Sequence, residues 1–173
     1  SLQSADVESV AICLLNSYVN ASNERRIADH LRAALGVPVC ISAEISPQIR
    51  EYPRMITTAC NAATMPVIGP YLDELQKWLA AEGFGGSVLM MLSNGGVVSA
   101  DDAASGPIRL VESGPAAGAL AGSWFASRLG IDRLLCFDMG GTTAKACLIE
   151  HGEPELTNTF EVARAYRFKK GSG

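Results

Sequence analysis

The sequence predicts an α/β fold, with helix-linked parallel strands first and a short antiparallel meander after them. Three observations carry this expectation. Residues 7–15 (VESVAICLL) form a near-continuous apolar run rich in β-branched side chains, the pattern of a strand buried on both faces. A segment of helical periodicity and a second apolar run follow at short spacing, which makes a βαβ unit, and such units build parallel sheets. From Ile131 onward the apolar runs are separated instead by Gly140-Gly141 and His151-Gly152, the punctuation of tight turns between antiparallel strands.

The elements follow in order. Asn20-Ala21-Ser22 offers capping side chains, and Ile27, Leu31 and Leu35 recur at helical spacing up to Gly36, a residue suited to the left-handed position that ends a helix. Residues 37–41 read as the next strand. The polar stretch beyond it, punctuated by Pro47 and Pro53, reads as an ordered loop, with a helix starting near Pro53 or Arg54. Pro66 and Pro70 are expected to kink or break that helix, because each removes a helical N–H. Ile68, Tyr71, Leu72, Leu75 and Leu79 then make one apolar stripe ending at Gly83, and residues 87–92 (SVLMML) read as a third buried strand.

Ser113 is a good N-cap and Pro115 fits a first turn, so another helix opens there. Its body is small-sided: Ala116, Ala117, Gly118, Ala119, Ala121, Gly122 and Ser123. Glycine costs about 1 kcal/mol against alanine in a helix, so close backbone approach is implied, by a neighbouring element or by a ligand. Gly130 ends the helix. Residues 134–137 read as a short buried strand ending at Asp138, residues 144–149 as a second strand, and Leu156, Phe160 and Val162 alternate with polar residues as a half-exposed third.

Composition narrows the function. Of 173 residues, 48% are hydrophobic and 18% charged, which supplies a core and excludes a disordered chain. A net charge of −4 with scattered Lys and Arg argues against nucleic acid as the main partner, since phosphate neutralisation needs a basic face. The longest apolar stretches fall far short of a bilayer span, and no basic-then-apolar leader opens the chain. The cysteine count is odd (five), with none in C-x-x-C spacing, the pattern of free thiols in a reducing compartment; a cytoplasmic location is expected. His30 and His151 are too few for a His-rich metal site and read as surface residues.

The sharpest local signal is Asp138-Met139-Gly140-Gly141-Thr142-Thr143. Two glycines after a strand let successive backbone N–H groups point at an anion, because no Cβ blocks the approach. A carboxylate beside them suits a hydrated Mg²⁺ next to phosphate oxygens, and Thr142 and Thr143 add hydroxyl donors. A P-loop and a dinucleotide fingerprint are both excluded, since each leads into a helix and here a strand follows. Strand–turn–strand with D-x-G-G-T is the arrangement of actin-like ATPases and hexokinases; an ordinary glycine hairpin would also satisfy the two glycines. Ser93-Asn94-Gly95-Gly96 follows an apolar strand, at the edge where open α/β sheets bind ligands. Ser113-Gly114-Pro115-Ala116 stands at a helix N-terminus, which attracts anions. Taken alone, these two also read as a turn and a cap.

Together, Ser93-Asn94-Gly95-Gly96, Ser113-Gly114-Pro115-Ala116-Ala117-Gly118 and Asp138-Met139-Gly140-Gly141-Thr142-Thr143 resemble the hydantoinase A/oxoprolinase family. Glu44-Ile45-Ser46-Pro47, Arg50-Glu51-Tyr52, Arg54, Thr57-Thr58 and Asn61-Ala62 match its pattern too, so the likeness runs in order along nearly the whole chain. The resemblance implies an internal fragment of an ATP-dependent cyclic-amide hydrolase with an actin-like (ribonuclease H-like) fold, which opens a hydantoin or 5-oxoproline ring after phosphorylating its carbonyl. Ketone carboxylase subunits share the architecture, so the substrate is a cyclic amide or a ketone. A second hydantoinase subunit and homo-oligomers are the partners it suggests, and a kinase-like or non-catalytic nucleotide-binding protein is the alternative.

On this reading, residues 1–130 close a first actin-like domain and residues 131–173 open a second, with ATP in the cleft between them. Asp138 would place Mg²⁺ and, with Thr142, serve catalysis. Asn94, Gly95, Gly96, Ser113, Gly114, Gly140, Gly141, Thr142, Thr143 and Lys145 would contact the nucleotide. Many family members carry Asp where Lys145 stands, so Lys145 keeps two readings, a phosphate contact or a solvent-facing side chain. Glu51, Arg54 and Asn61 are weaker candidates for substrate or interface contacts.

Overall fold

The computed structural model describes residues 5–141 and 143–155. The chain divides into two compact units, residues 1–116 and 117–173. The first is built on a parallel pair: β1 (Val10–Ile12) runs beside β2 (Val39–Ile41), linked by α1 (Ser22–Leu35), with Val10 opposite Val39 and Ile12 opposite Ile41. This is the expected βαβ crossover, although β1 is only the middle of the apolar run. Ile12, Ala28, Val39 and Ile41 form its core, joined by Val10, Leu14, Leu31 and Ala43. Gly36 ends α1 at φ 68°, where an L side chain would be strained.

A short helix, α2 (Ser42–Ile45), and then one 31-residue helix, α3 (Glu51–Ala81), occupy the stretch read as a loop and an interrupted helix. Pro66 and Pro70 do not break α3. Each forfeits one N–H bond at a cost of about 3 kcal/mol, and packing on both sides of them outweighs it: Arg54, Thr58, Asn61 and Ala62 are buried before the prolines and Leu72 after. Tyr71 leaves the expected stripe and is 58% exposed, while Ile68, Leu75 and Leu79 are half-buried.

Residues 87–92 do not form a third buried strand. β3 (Leu89–Met91) pairs antiparallel with β4 (Val97–Ser99) in a separate hairpin, and Leu89 is 60% exposed. The missed partner strand, Val97–Ser99, is too short to show a period. Ser99 then caps α4 (Ala100–Ser105), accepting from the Asp102 N–H at 3.1 Å. Leu72 packs with Ala100 and Ala103 in a second core, flanked by Ile68, Val88, Met90, Val98, Ala104 and Leu110. A 3₁₀ turn, Pro107–Leu110, leads to α5 (Ser113–Leu129), which contains the division between units. Ser113 is the first helical residue of α5 rather than its cap; Glu112 precedes it at φ 67°.

The second unit holds the rest of α5 and the antiparallel sheet β5 (Arg133–Met139), β6 (Ala144–Glu150), β7 (Glu153–Pro154), in that order. The small residues of α5 serve packing at Gly122, where an added Cβ would collide with Cys136 Sγ and lie 3.0 Å from Ile149 Cδ1. Leu134, Cys136 and Ile149 thus form the face beneath the helix. The opposite face is open: Leu135, Phe137 and Met139 are 61%, 64% and 71% exposed. β5 is therefore not the buried strand expected, because α5 covers one of its faces only. Leu156, Phe160 and Val162 lie outside the described residues. No helix among the described residues is long and apolar enough to cross a membrane.

Candidate functional site

The 138–143 loop is a hairpin turn, as its glycines suggest, but Asp138 does not terminate the strand. β5 continues through Met139, and Asp138 sits directly opposite Lys145 across the β5–β6 ladder. The turn closes with the Gly140 N–H donating to the Thr143 carbonyl at 2.9 Å. Successive strand residues alternate faces, so Asp138 and Lys145 share the face that carries Cys136 and Cys147, one pair nearer the turn. Asp138 is exposed and Lys145 half-buried. Among the described residues, a Cβ built on Gly141 would meet nothing within 4 Å, so they leave the turn open on that side. Thr142 lies outside the described residues.

An exposed carboxylate beside an open glycine turn fits what Mg²⁺–ATP requires, since Mg²⁺ keeps several waters and takes one or two carboxylates together with phosphate oxygens. Among the described residues no group of three or more His, Cys, Asp or Glu could hold a metal by itself. Among the described residues Asp138 is thus a lone carboxylate, outside any protein-made metal cage.

Asn94, Gly95 and Gly96 belong to the first unit, in the loop joining β3 to β4. Their donors are largely engaged: Ser93 N–H donates to the Arg109 carbonyl at 2.8 Å, Gly95 N–H to Leu92 at 3.0 Å, and Gly96 N–H to Asn94 Oδ1 at 2.9 Å. Gly95 takes φ 84°. This loop has the bonding of a self-satisfied turn. Ser113 and Gly114 open α5, and among the described residues a Cβ built on Gly114 would meet nothing within 4 Å.

The polar residues buried in the first unit were the least legible. Glu24, on an exposed-looking helix sequence, is fully buried; Oε1 accepts from the Leu14 N–H at 2.7 Å and Ser42 Oγ at 2.6 Å, and Oε2 accepts from the Ala43 N–H at 2.9 Å. Burial raises its pKa, but hydrogen bonds from Ser42, Leu14, Ala43 and Ser17 outweigh that and hold the carboxyl below its ordinary value. Asn61 is a clamp: Nδ2 donates to the Ser105 carbonyl at 3.1 Å and Oδ1 accepts from the Ile108 N–H at 3.2 Å, which fastens α3 to the 105–110 segment. Arg54 is fully buried, and Glu51, whose Oε1 lies 3.8 Å from its Nη2, is half-exposed. A cavity of about 650 Å³ in this unit is lined by residues including Arg32, Cys40, Glu44, Asp102 and Arg109, none of them a site expected from sequence.

Comparison with known proteins adds to this geometry. Residues 54–169 match the Hydantoinase/oxoprolinase family. The chain is 39% identical to an uncharacterized protein of Methanocaldococcus jannaschii, over 99% of its own length and 26% of that protein's. It is 35% identical to the caprolactamase subunit alpha of Pseudomonas jessenii, over 91% of this chain and 23% of that one. A nucleotide-free structure of acetone carboxylase, from a study of ATP-dependent acetone carboxylation, superposes with a TM-score of 0.73 at 30% identity, covering 88% of this chain and 23% of that one. The chain spans about a quarter of the length of these curated relatives. With the α/β architecture, the open glycine hairpin and a match over most of its residues, this chain belongs to the hydantoinase/oxoprolinase family.

Proposed function

We propose that these residues belong to an ATP-hydrolysing cyclic amidase of actin-like fold and hold part of its Mg²⁺–ATP site. The observation that carries the reading is the β5–β6 hairpin. It presents an exposed Asp138 carboxylate beside a turn whose Gly141 side is unobstructed. Asp138 would hold the hydrated cation, Gly140, Gly141 and Thr143 would line the phosphates, and Thr142 would add a donor. Mg²⁺–ATP would supply the phosphoryl group that, placed on the amide carbonyl oxygen, makes the amide carbon electrophilic toward water, so that the ring nitrogen can leave. Lys145, opposite Asp138, is placed on the same sheet face and would add positive charge there. Gly114, with open space beside it, and the 94–96 turn are secondary contacts in this scheme.

The same reading divides the parent protein into a first actin-like domain closed by residues 1–130 and a second opened by residues 131–173. It places the protein in the cytoplasm, where its five free cysteines stay reduced. A lactam or hydantoin is the substrate class favoured by the caprolactamase relative, whose subunit name also favours a second subunit as partner. The acetone carboxylase likeness favours a second reading, a ketone carboxylase subunit.

The test is ATP turnover by the complete polypeptide carrying these residues, with its Asp138→Asn variant. Asparagine keeps the shape but removes the charge the cation needs, a loss of several kcal/mol or about a thousandfold in rate. Lactam-stimulated turnover supports the amidase, bicarbonate-dependent turnover with a ketone the carboxylase. An Asp138→Asn variant with the parent's turnover and melting temperature would remove Asp138 from the site.

A further inference from the structure

Arg54 is the most conspicuous unexplained group in the first unit. Its side chain is wholly buried, yet Nε and Nη1 have no hydrogen-bond partner among the described residues. Nη2 donates to the Leu14 carbonyl, and the guanidinium lies 5.4 Å from the centre of the Tyr18 ring. Arginine cannot escape by losing its proton, so one N–H on Nε and two on Nη1 remain as buried, charged donors. Burying such donors without partners is costly, and a strut between β1 and α3 would be cheaper as an apolar side chain.

The position of these donors points to an anion. Leu14 and Asn16 follow the end of β1, and Ser42 follows directly on β2, so the guanidinium stands at the carboxyl end of the parallel pair, where α/β folds bind ligands. It also lies in the opening turns of α3, whose N-terminus receives no side-chain cap. The positive end of that 31-residue helix adds to the charge of Arg54.

The charges nearby set the class of anion. Glu24 already engages the Leu14 N–H while Arg54 engages the Leu14 carbonyl, so the backbone of one residue lies between a buried carboxylate and the buried cation. Glu51 brings a second carboxylate to within 3.8 Å, without reaching hydrogen-bond distance, and its side chain is 43% exposed. The Glu51 carboxylate beside the guanidinium, with Glu24 on the other side of Leu14, disfavours a dianionic phosphate relative to a single planar monoanion, the group whose shape matches the guanidinium fork.

We propose that Arg54 anchors a binding site for the carboxylate of a small organic acid, and that Glu51 stands in for that carboxylate in this structure. The ligand carboxylate takes Nη2 together with the free Nε–H or Nη1–H donors when Glu51 swings outward, which its partial exposure permits. Tyr18, half-buried against the guanidinium, flanks the entry. Every residue involved lies in the first unit and none in the 138–143 hairpin, so this inference stands or falls apart from the nucleotide reading.

The test is an NMR titration of the protein with sodium acetate, against sodium chloride at matched ionic strength, followed on the Arg54 Nε–Hε resonance. The expected result is a saturable displacement with acetate and none with chloride. Glu51→Gln removes the competing carboxylate and should tighten acetate binding about fivefold, the scale of a partly exposed ion pair. Arg54→Lys, which lacks the fork, should abolish saturation; if that variant does not fold, the parent and Glu51→Gln titrations decide alone. No acetate-dependent displacement, equal displacement by chloride, or weaker binding in Glu51→Gln would each overturn the proposal and leave Arg54 as a purely structural cation.

Discussion

Substituting Gly122 by alanine sets a packing cost against a propensity gain within one residue. In an exposed helix the change would favour folding by about 1 kcal/mol. Here the new methyl would collide with Cys136 Sγ and stand 3.0 Å from Ile149 Cδ1 and 3.5 Å from Leu134 Cδ2. Ile149 is fully buried and cannot withdraw, so the helix must lift from the sheet or Cys136 must change rotamer. Overpacking of this kind costs about 1–3 kcal/mol, and the closeness of the sulfur puts it at the upper end. The net expectation is a loss of about 2 kcal/mol, or a melting temperature lower by about 4–8 °C in a chain of this size. Urea denaturation of the parent, Gly122→Ala, Cys136→Ala and the double variant measures the terms. With the sulfur gone, Gly122→Ala should become neutral or stabilising by up to about 1 kcal/mol. An equal effect of Gly122→Ala in both backgrounds would refute the contact as the cause, and so the reason given for the small-sided helix.

Other consequences are as direct. Glu24→Gln leaves an amide N–H₂ facing a donor, since Leu14, Ser42 and Ala43 all donate to the carboxylate; the expected loss is about 3 kcal/mol by chemical denaturation. Because the folded carboxyl titrates below its ordinary value of 4.5, Glu24 stabilises the protein above about pH 4.5 and loses that contribution as pH falls through the folded value. The acid limb of the stability profile should accordingly flatten in Glu24→Gln. Asn61→Ala strands the Ser105 carbonyl and the Ile108 N–H, costing about 2–4 kcal/mol and speeding amide exchange most at residues 105–110. Mass-spectrometric alkylation should label exposed Cys60 first and Cys40 last, because Cys40 is buried and desolvation raises its thiol pKa.

The sequence foretold whatever depends on local pattern. The βαβ unit follows from two apolar runs around a helical repeat, the end of α1 from Gly36, and the β5–β6 hairpin from its paired glycines. It failed where tertiary packing overrides propensity. Pro66 and Pro70 predict an interruption that burial on either side prevents, and residues 87–92 predict a buried strand because a hairpin partner three residues long leaves no signature. The hairpin carrying Asp138 was legible as a motif, but the exposure of Phe137 and Met139 was not, since alternation cannot say which face a helix will cover. Glu24, Arg54 and Asn61 are polar in sequence and wholly buried in the fold, and the groups they engage lie 10 to 47 residues away along the chain, beyond the reach of any local pattern.

The unbroken length of α3 has a bearing on how the first unit comes apart. The helix is about 46 Å long; Thr58 near its start receives Cys40 Sγ on its carbonyl from β2, Asn61 holds the 105–110 segment, and Leu72 beyond the prolines seats the second core. The two hydrophobic clusters share no residue, and alone each would be a candidate to melt at its own temperature. Because one rod packs on the strands that carry the first cluster and supplies Leu72 to the second, losing its first half releases the second, and the clusters are tied into a single cooperative transition. The prolines are then the mechanical weak point of that tie: a sequence that truly broke the helix there would convert one folding unit into two.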